Sequence, residues 1–206
     1  MMLRLETRLA AVLTAVALCS LSGAALATPE VDAPAPAFTG VDTAGKTWAL
    51  EDLAGQPVIL EWTNHDCPYV KKHYGAGNMQ TLQREATDAG YVWLSVISSA
   101  PGTQGHVSAA EADALTAERD AAPTAVLLDT EGTIGRAYGA RTTPHMYVID
   151  EAGTLVYMGG IDDRATTDPA DIPAATNYVR LAMSELEAGQ PISRPVTRPY
   201  GCSVKY

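Results

Sequence analysis

Four apolar runs with β-rich composition mark the core of the chain: Val58-Ile59-Leu60-Glu61-Trp62, Tyr91-Val92-Trp93-Leu94-Ser95-Val96-Ile97, Thr124-Ala125-Val126-Leu127-Leu128-Asp129, and Met146-Tyr147-Val148-Ile149-Asp150. Runs of this length without polar alternation predict strands buried on both faces. The fourth is followed by Glu151-Ala152-Gly153 and Thr154-Leu155-Val156-Tyr157-Met158, the pattern of a hairpin. A shorter hairpin is predicted where Phe38 to Asp42 and Lys46 to Leu50 flank Thr43-Ala44-Gly45.

Helical periodicity falls between these runs. Met79, Leu82, Ala86 and Ala89 recur at helical spacing and Gly90 closes the element, while Gly75 and Gly77 make the first part of that segment irregular. Ser108 with Glu111 forms a capping-box pattern for a helix to about Arg119. A short helix is expected from Ile134 to Tyr138, and a last one from about Pro173 to Glu187, burying Tyr178, Leu181, Ala182 and Leu186 before Gly189 and Pro191 stop it. The alternation of strand and helix, ending in a hairpin and a helix, implies an α/β sandwich with a mixed central sheet.

The ends read differently. Arg4 and Arg8 precede an apolar run from Leu9 to about Leu21, and Ala25-Leu26-Ala27 is a small-residue cleavage pattern, so residues 1–27 read as a secretory signal peptide. The run is shorter than the roughly 20 residues of a membrane-spanning helix. Residues 28–37 form a Pro/Ala-rich leader, 38–190 the domain, and 191–206 an extended tail whose terminus stays mobile unless Cys202 pins it. The 47% hydrophobic content suffices for one core. Without residues 1–27 the chain carries 12 basic and 23 acidic residues, a balance that disfavours nucleic acid as a partner. Cleavage also removes Cys19 and leaves two cysteines, Cys67 and Cys202. In an exported protein such a pair is either a structural disulfide or a nucleophile with its resolving partner.

The candidate chemistry lies at Thr63-Asn64-His65-Asp66-Cys67-Pro68-Tyr69-Val70-Lys71-Lys72, directly after the first core strand. Pro68 suits the first turn of a helix, which makes Cys67 the N-cap. There unpaired N–H groups and the helix dipole favour thiolate over thiol, and Lys71 and Lys72 add positive charge. A cysteine before proline can equally be a small buried hydrophobe. His65 is placed to tune Cys67 or relay a proton, whereas His73 reads as a polar residue on a solvated face. Asp162, Asp163 and Arg164 read as a turn, functional only if the fold brings them near Cys67.

This order of elements, with a cysteine ending the first core strand and Thr143-Pro144 opening a later one, resembles the thioredoxin-like α/β/α sandwich. The segments NHDCPYVKKHY, RAYGARTTPHMYVIDEAGTLVYMGGIDDR and TRPYGCSVKY make the chain, from about residue 33 to 206, most similar to an exported subgroup of peroxiredoxin-like redoxins related to alkyl hydroperoxide reductase and thiol-specific antioxidant proteins. The resemblance implies a cis bond before Pro144, beside the reactive sulfur. It further implies antioxidant or thiol oxidoreductase activity in the periplasm or outside the cell, a peroxide or disulfide substrate and an external thiol reductant, with no cofactor or metal.

Several positions depart from the pattern. Val70 stands where thioredoxins carry their second cysteine; Asn64 and Leu60 stand where peroxiredoxins have Thr or Ser and Pro; and Pro144 stands where their arginine falls, leaving Arg141 as the nearby substitute. The expected mechanism is attack by the Cys67 thiolate on an O–O or S–S bond, with Cys202 as the resolving sulfur or, in the competing reading, half of a permanent bridge. Thr143 offers backbone groups to substrate, Thr63 and Asn64 are candidate donors to the thiolate, and His145 borders the site. A copper-handling module using Cys67 with His65 or His145 is the alternative from another class, because thiolate and imidazole suit soft copper ions. A catalytically silent domain is the third.

Overall fold

The computed structural model describes residues 29–206; the expected signal peptide lies outside the described residues. A five-stranded mixed sheet runs through the domain in the order β5-β4-β3-β7-β8, formed by β3 (Val58–Trp62), β4 (Val92–Ile97), β5 (Ala125–Leu128), β7 (His145–Ile149) and β8 (Leu155–Gly159). β3 pairs parallel with β4 and antiparallel with β7, and all five of its residues are buried, as its unbroken apolar run requires. The short hairpin is present as β1 (Thr39–Val41) and β2 (Thr47–Ala49).

The two faces of the sheet carry separate cores. Ile59, Trp93, Met146 and Val148 face a cluster with α1 (Pro68–Gly75), α2 (Asn78–Asp88) and α5 (Tyr178–Glu187). Their strand neighbours Leu60, Leu94, Tyr147 and Ile149 face Phe38, Leu53, Ile134 of α4 (Thr133–Ala137) and Tyr138, which caps that helix. Alternate residues of one strand thus feed opposite layers, giving the expected α/β/α sandwich. A third, smaller cluster packs α3 (Ala109–Glu118) through Ala112 against Ile97 and Val126, and the Ser108–Glu111 capping box is formed.

The helical segment after Cys67 is two helices. Gly77 is left-handed (φ 71°) at the start of α2, a backbone conformation that glycine adopts without strain. Met79, Leu82 and Ala86 are buried as expected, but Ala89 is exposed beyond the end of α2.

The last helix also differs from expectation. Pro169–Ala174 is a 3-10 turn containing Pro173, the chain then extends, and α5 starts at Tyr178 with Asn177 as its cap, Arg180 N–H donating to Asn177 Oδ1 at 2.9 Å. Its buried face is Val179, Ala182 and Met183, with Tyr178, Leu181 and Leu186 only half-buried.

Neither end of the described chain is loose. Asp32 N–H donates to Leu155 O at 2.9 Å and Ala35 N–H to Gly153 O at 2.9 Å, so the leader pairs beside the β7–β8 hairpin. The tail ends in β9 (Cys202–Ser203), which pairs antiparallel with β6 (Thr142–Thr143), placing Cys202 opposite Thr143.

Candidate active site

Strand register assembles the site. Because β3 and β7 are antiparallel with Trp62 opposite His145, the segment leaving β3 and the segment entering β7 lie at the same edge of the sheet. Cys67 is on the first and Thr143-Pro144, joined by a cis peptide bond, on the second. The β6–β9 pairing then lays Cys202 over both.

Cys67 is the N-cap of α1, with extended backbone (φ −68°, ψ 123°) and Pro68 at the first helical position. Its sulfur lies 3.1 Å from Thr143 O, to which the thiol donates, and 3.4 Å from the backbone nitrogen of Cys202, whose N–H donates to it. Cys67 has no solvent exposure and Cys202 is half-buried; both are free thiols. The cover over Cys67 is therefore polar backbone and a second sulfur as well as hydrocarbon.

Burial pushes the Cys67 thiol up, but hydrogen bonds from the Cys202 thiol, the Val70 and Cys202 N–H groups and the Thr143 side chain outweigh it and leave the group below its ordinary value. Cys202 is pushed up to about 11, by burial first and then by donating to Cys67 and lying beside its charge. One proton is thus held on Cys202 while Cys67 ionises, the division of roles a nucleophile and its partner need.

The supporting residues expected from sequence separate into two groups. Thr143 and Cys202 meet Cys67, and Pro144 follows Thr143 through the cis bond. Asn64 does not donate to the sulfur: its Nδ2 donates to Gln104 O at 3.2 Å and its Oδ1 accepts from Asp66 N–H at 2.9 Å, an Asx turn that shapes the loop before the cysteine. Thr63 Oγ1 is buried with no partner, and His65 faces Asp66, 3.4 Å from its carboxylate, rather than Cys67. Thr63 and His65 line a cavity of about 30 Å³ with Tyr74, Ser95 and Arg119. Arg141 is exposed and lines a different groove with His145 and Tyr147. His145 is buried and engaged with the Tyr147 hydroxyl at 3.1 Å. Lys72 is also buried and points away, its Nζ donating to Arg164 O at 2.9 Å, because the α1 face it occupies packs on the loop after β8. His73, expected on a solvated face, has no exposure and sits against Tyr200 and Asp162. Among the described residues no three His, Cys, Asp or Glu side chains gather as a metal site.

Glu61 was not singled out by the sequence pattern, although a charged residue inside an apolar strand is a visible signal. Its buried carboxyl group accepts hydrogen bonds from Tyr74 Oη (2.8 Å), Gln83 Nε2 (3.2 Å), Trp93 Nε1 (2.9 Å) and Ser95 Oγ (2.8 Å), tying α1 and α2 to β3 and β4 beneath the site.

A cysteine capping the helix after the central strand, against a cis-proline loop, defines a thioredoxin-like redox fold. The chain belongs to the AhpC/TSA family, whose model matches residues 31–158. Among solved structures, an uncharacterized conserved protein from Geobacillus kaustophilus is 22% identical with a TM-score of 0.72, covering 86% of this chain and 92% of its own. A hypothetical protein from Sinorhizobium meliloti 1021 is 19% identical with a TM-score of 0.72, over 87% and 96%. A putative thiol:disulfide interchange protein DsbE from Chlorobium tepidum is 21% identical with a TM-score of 0.51, over 64% and 85%. No curated protein matches the sequence. At these identities the solved structures speak for the fold; the family places the chain among thiol redox proteins.

Proposed function

We propose that this protein is an exported thiol oxidoreductase whose working unit is the Cys67–Cys202 pair, cycling between dithiol and disulfide against an external disulfide and an external thiol reductant. The observation that carries the reading is the docking of Cys202 opposite Thr143, with its N–H donating to the Cys67 sulfur. In the oxidising half-reaction the Cys67 thiolate attacks RSSR, forming Cys67–S–SR and releasing RS⁻. Cys202, giving up its proton, then attacks the Cys67 sulfur, forming the Cys67–Cys202 disulfide and releasing the second RS⁻. Two equivalents of an external thiol reverse both steps.

Peroxide is the second candidate oxidant. There Cys67–S⁻ displaces RO⁻ from ROOH to give a sulfenic acid, and Cys202 condenses with it, releasing water. Disulfide exchange is favoured because two side chains near this loop that could stabilise a leaving oxygen are engaged elsewhere: Asn64 on Gln104, and Arg119 on His65 O at 3.1 Å and over the Tyr74 ring. The leader-like N-terminus, with Arg4, Arg8 and the Ala25-Leu26-Ala27 pattern, supports the periplasm or the exterior as its location.

Mass spectrometry of Cys67 and Cys202 after oxidised glutathione, or alternatively hydrogen peroxide, tests the reading. The wild type should yield an internal disulfide, and Cys202→Ser a glutathione adduct or sulfenic acid trapped on Cys67. A Cys67 unmodified by either oxidant in both proteins would exclude it.

A further inference from the structure

The tail is gripped on both sides of Cys202. Upstream, Thr197 N–H donates to Met158 O at 3.1 Å and Thr197 Oγ1 accepts from Gly160 N–H at 3.0 Å. Downstream, Val204 N–H donates to Arg141 O at 3.0 Å and the Tyr206 hydroxyl to Ala140 O at 2.7 Å. Neither grip touches the helix that carries Cys67. Tyr200, two residues before Cys202, does.

The Tyr200 ring stacks edge-on against Tyr69 of α1, with centroids 5.7 Å apart, and its hydroxyl donates to Asp162 Oδ1. Asp162 is held in turn by Arg164 N–H, which donates to the same carboxylate at 2.9 Å. On the other side the Tyr200 oxygen lies 3.3 Å from His73 Nε2, and Asn78 Nδ2 lies 2.9 Å from His73 Nδ1. The directions of these bonds are fixed in sequence. Tyr200 spends its proton on Asp162, so its oxygen accepts from His73 Nε2–H. His73 Nδ1 is then bare and accepts from the Asn78 amide. Asp162 is 3% exposed and His73 fully buried, so the chain is shielded from competing water. Burial lowers the imidazole to about 4, against the raising influence of Asp162, consistent with this neutral tautomer.

We propose that Tyr200 is a positioning residue for the redox pair: held by Asp162 and His73 and stacked on Tyr69, it registers the tail against α1 and so sets Cys202 over Cys67. This rests on the thiol oxidoreductase reading above and adds the residues that give Cys202 its high effective concentration. A carboxylate-bound hydroxyl is among the stronger single contacts, and its loss should loosen the tail between the anchors at Thr197 and at Val204 and Tyr206, which stay in place.

The test uses Tyr200→Phe, which keeps the ring and removes the hydroxyl, beside Asp162→Ala and the conservative Asp162→Asn, which keeps an acceptor oxygen. Two quantities are read on each protein: the equilibrium between the Cys67–Cys202 disulfide and glutathione, and the alkylation rate of Cys67 in the reduced protein. Tyr200→Phe and Asp162→Ala should each lower the equilibrium constant for internal disulfide formation about tenfold, equivalent to about 30 mV. Both should speed Cys67 alkylation several-fold, and Asp162→Asn should stay near wild type. An unchanged equilibrium and unchanged alkylation in Tyr200→Phe, with a wild type that forms the disulfide, overturns the role of Tyr200 alone. A wild type that forms no internal disulfide overturns the oxidoreductase reading and this proposal with it.

Discussion

The two sulfurs are chemically unlike because of where their hydrogen bonds come from. Cys67 collects donors and lies at a helix N-terminus, whereas Cys202 is itself a donor, so the first proton lost belongs to the pair and leaves mainly the Cys67 thiolate. Ultraviolet titration of thiolate absorbance should therefore show two separated steps, one below the ordinary cysteine range and one near 11, and Cys202→Ala should remove the upper one. A single step with double amplitude near the ordinary value would contradict the assignment. Glu61 supplies a second prediction at this scale. Glu61→Ala removes the acceptor shared by Tyr74, Gln83, Trp93 and Ser95, leaving buried donors unpaired at about 1–3 kcal/mol each. Denaturant unfolding should register a loss of at least about 3 kcal/mol. The residue types at both places are evident in the sequence, but the partners are not: Cys202 is 135 positions from Cys67, and nothing local in either segment says that they meet.

At the scale of elements, the close approach of β9 to β6 depends on Gly201. It has φ 137°, and a Cβ there would lie 2.0 Å from Thr143 O, the carbonyl that accepts from Cys67. Gly201→Ala should force the tail off β6. Hydrogen exchange read by mass spectrometry should accelerate at Ser203 and Val204, with protection in β3 and β7 unchanged; retained protection at the tail would show that the backbone can yield. The apolar runs revealed β3, β4, β5, β7 and β8 because a strand buried on both faces carries its burial in its own composition. The start of α5 differs from the sequence pattern because Pro173, which resembles a first-turn proline, lies within a 3-10 turn and Asn177 is the residue whose side chain caps the helix. The burial of His73 is not legible in its own segment because its helix face is covered by Tyr200 and Asp162, both far away in sequence.

For the whole molecule, the buried histidines set an acid limit. Burial lowers His73 to about 4, with Asp162 opposing and Lys72 adding to the shift, and lowers His145 to about 3, with Arg141 adding. Both folded values lie below the unfolded value near 6.5, so the native state binds fewer protons than the unfolded chain between those limits. Stability is complete above about pH 6.5 and is lost as the pH falls towards 4, by an amount on the order of 3 kcal/mol for His73 alone. Chemical denaturation at a series of pH values should show this decline beginning near pH 6.5, and His145→Gln should make the slope shallower. A flat profile between pH 7 and 5 would mean that both histidines are accessible in the folded state.

Composition and periodicity by themselves determined the α/β alternation, the strand cores and the N-cap placement of Cys67, because each depends on residues within a few positions of one another. The family likeness pointed further, to the proline loop and the terminal cysteine. Tertiary structure alone decided which groups touch the sulfur. It turned Asn64 and His65 to other partners, left Arg141 exposed on a different groove, buried Lys72 and His73, and brought Tyr200, Gly201 and Cys202 onto the end of β3. The physical reason is that a strand's burial is recorded in its own side chains, whereas a contact between distant segments is fixed by sheet register and by the path of the tail, to which no single stretch of sequence holds the key.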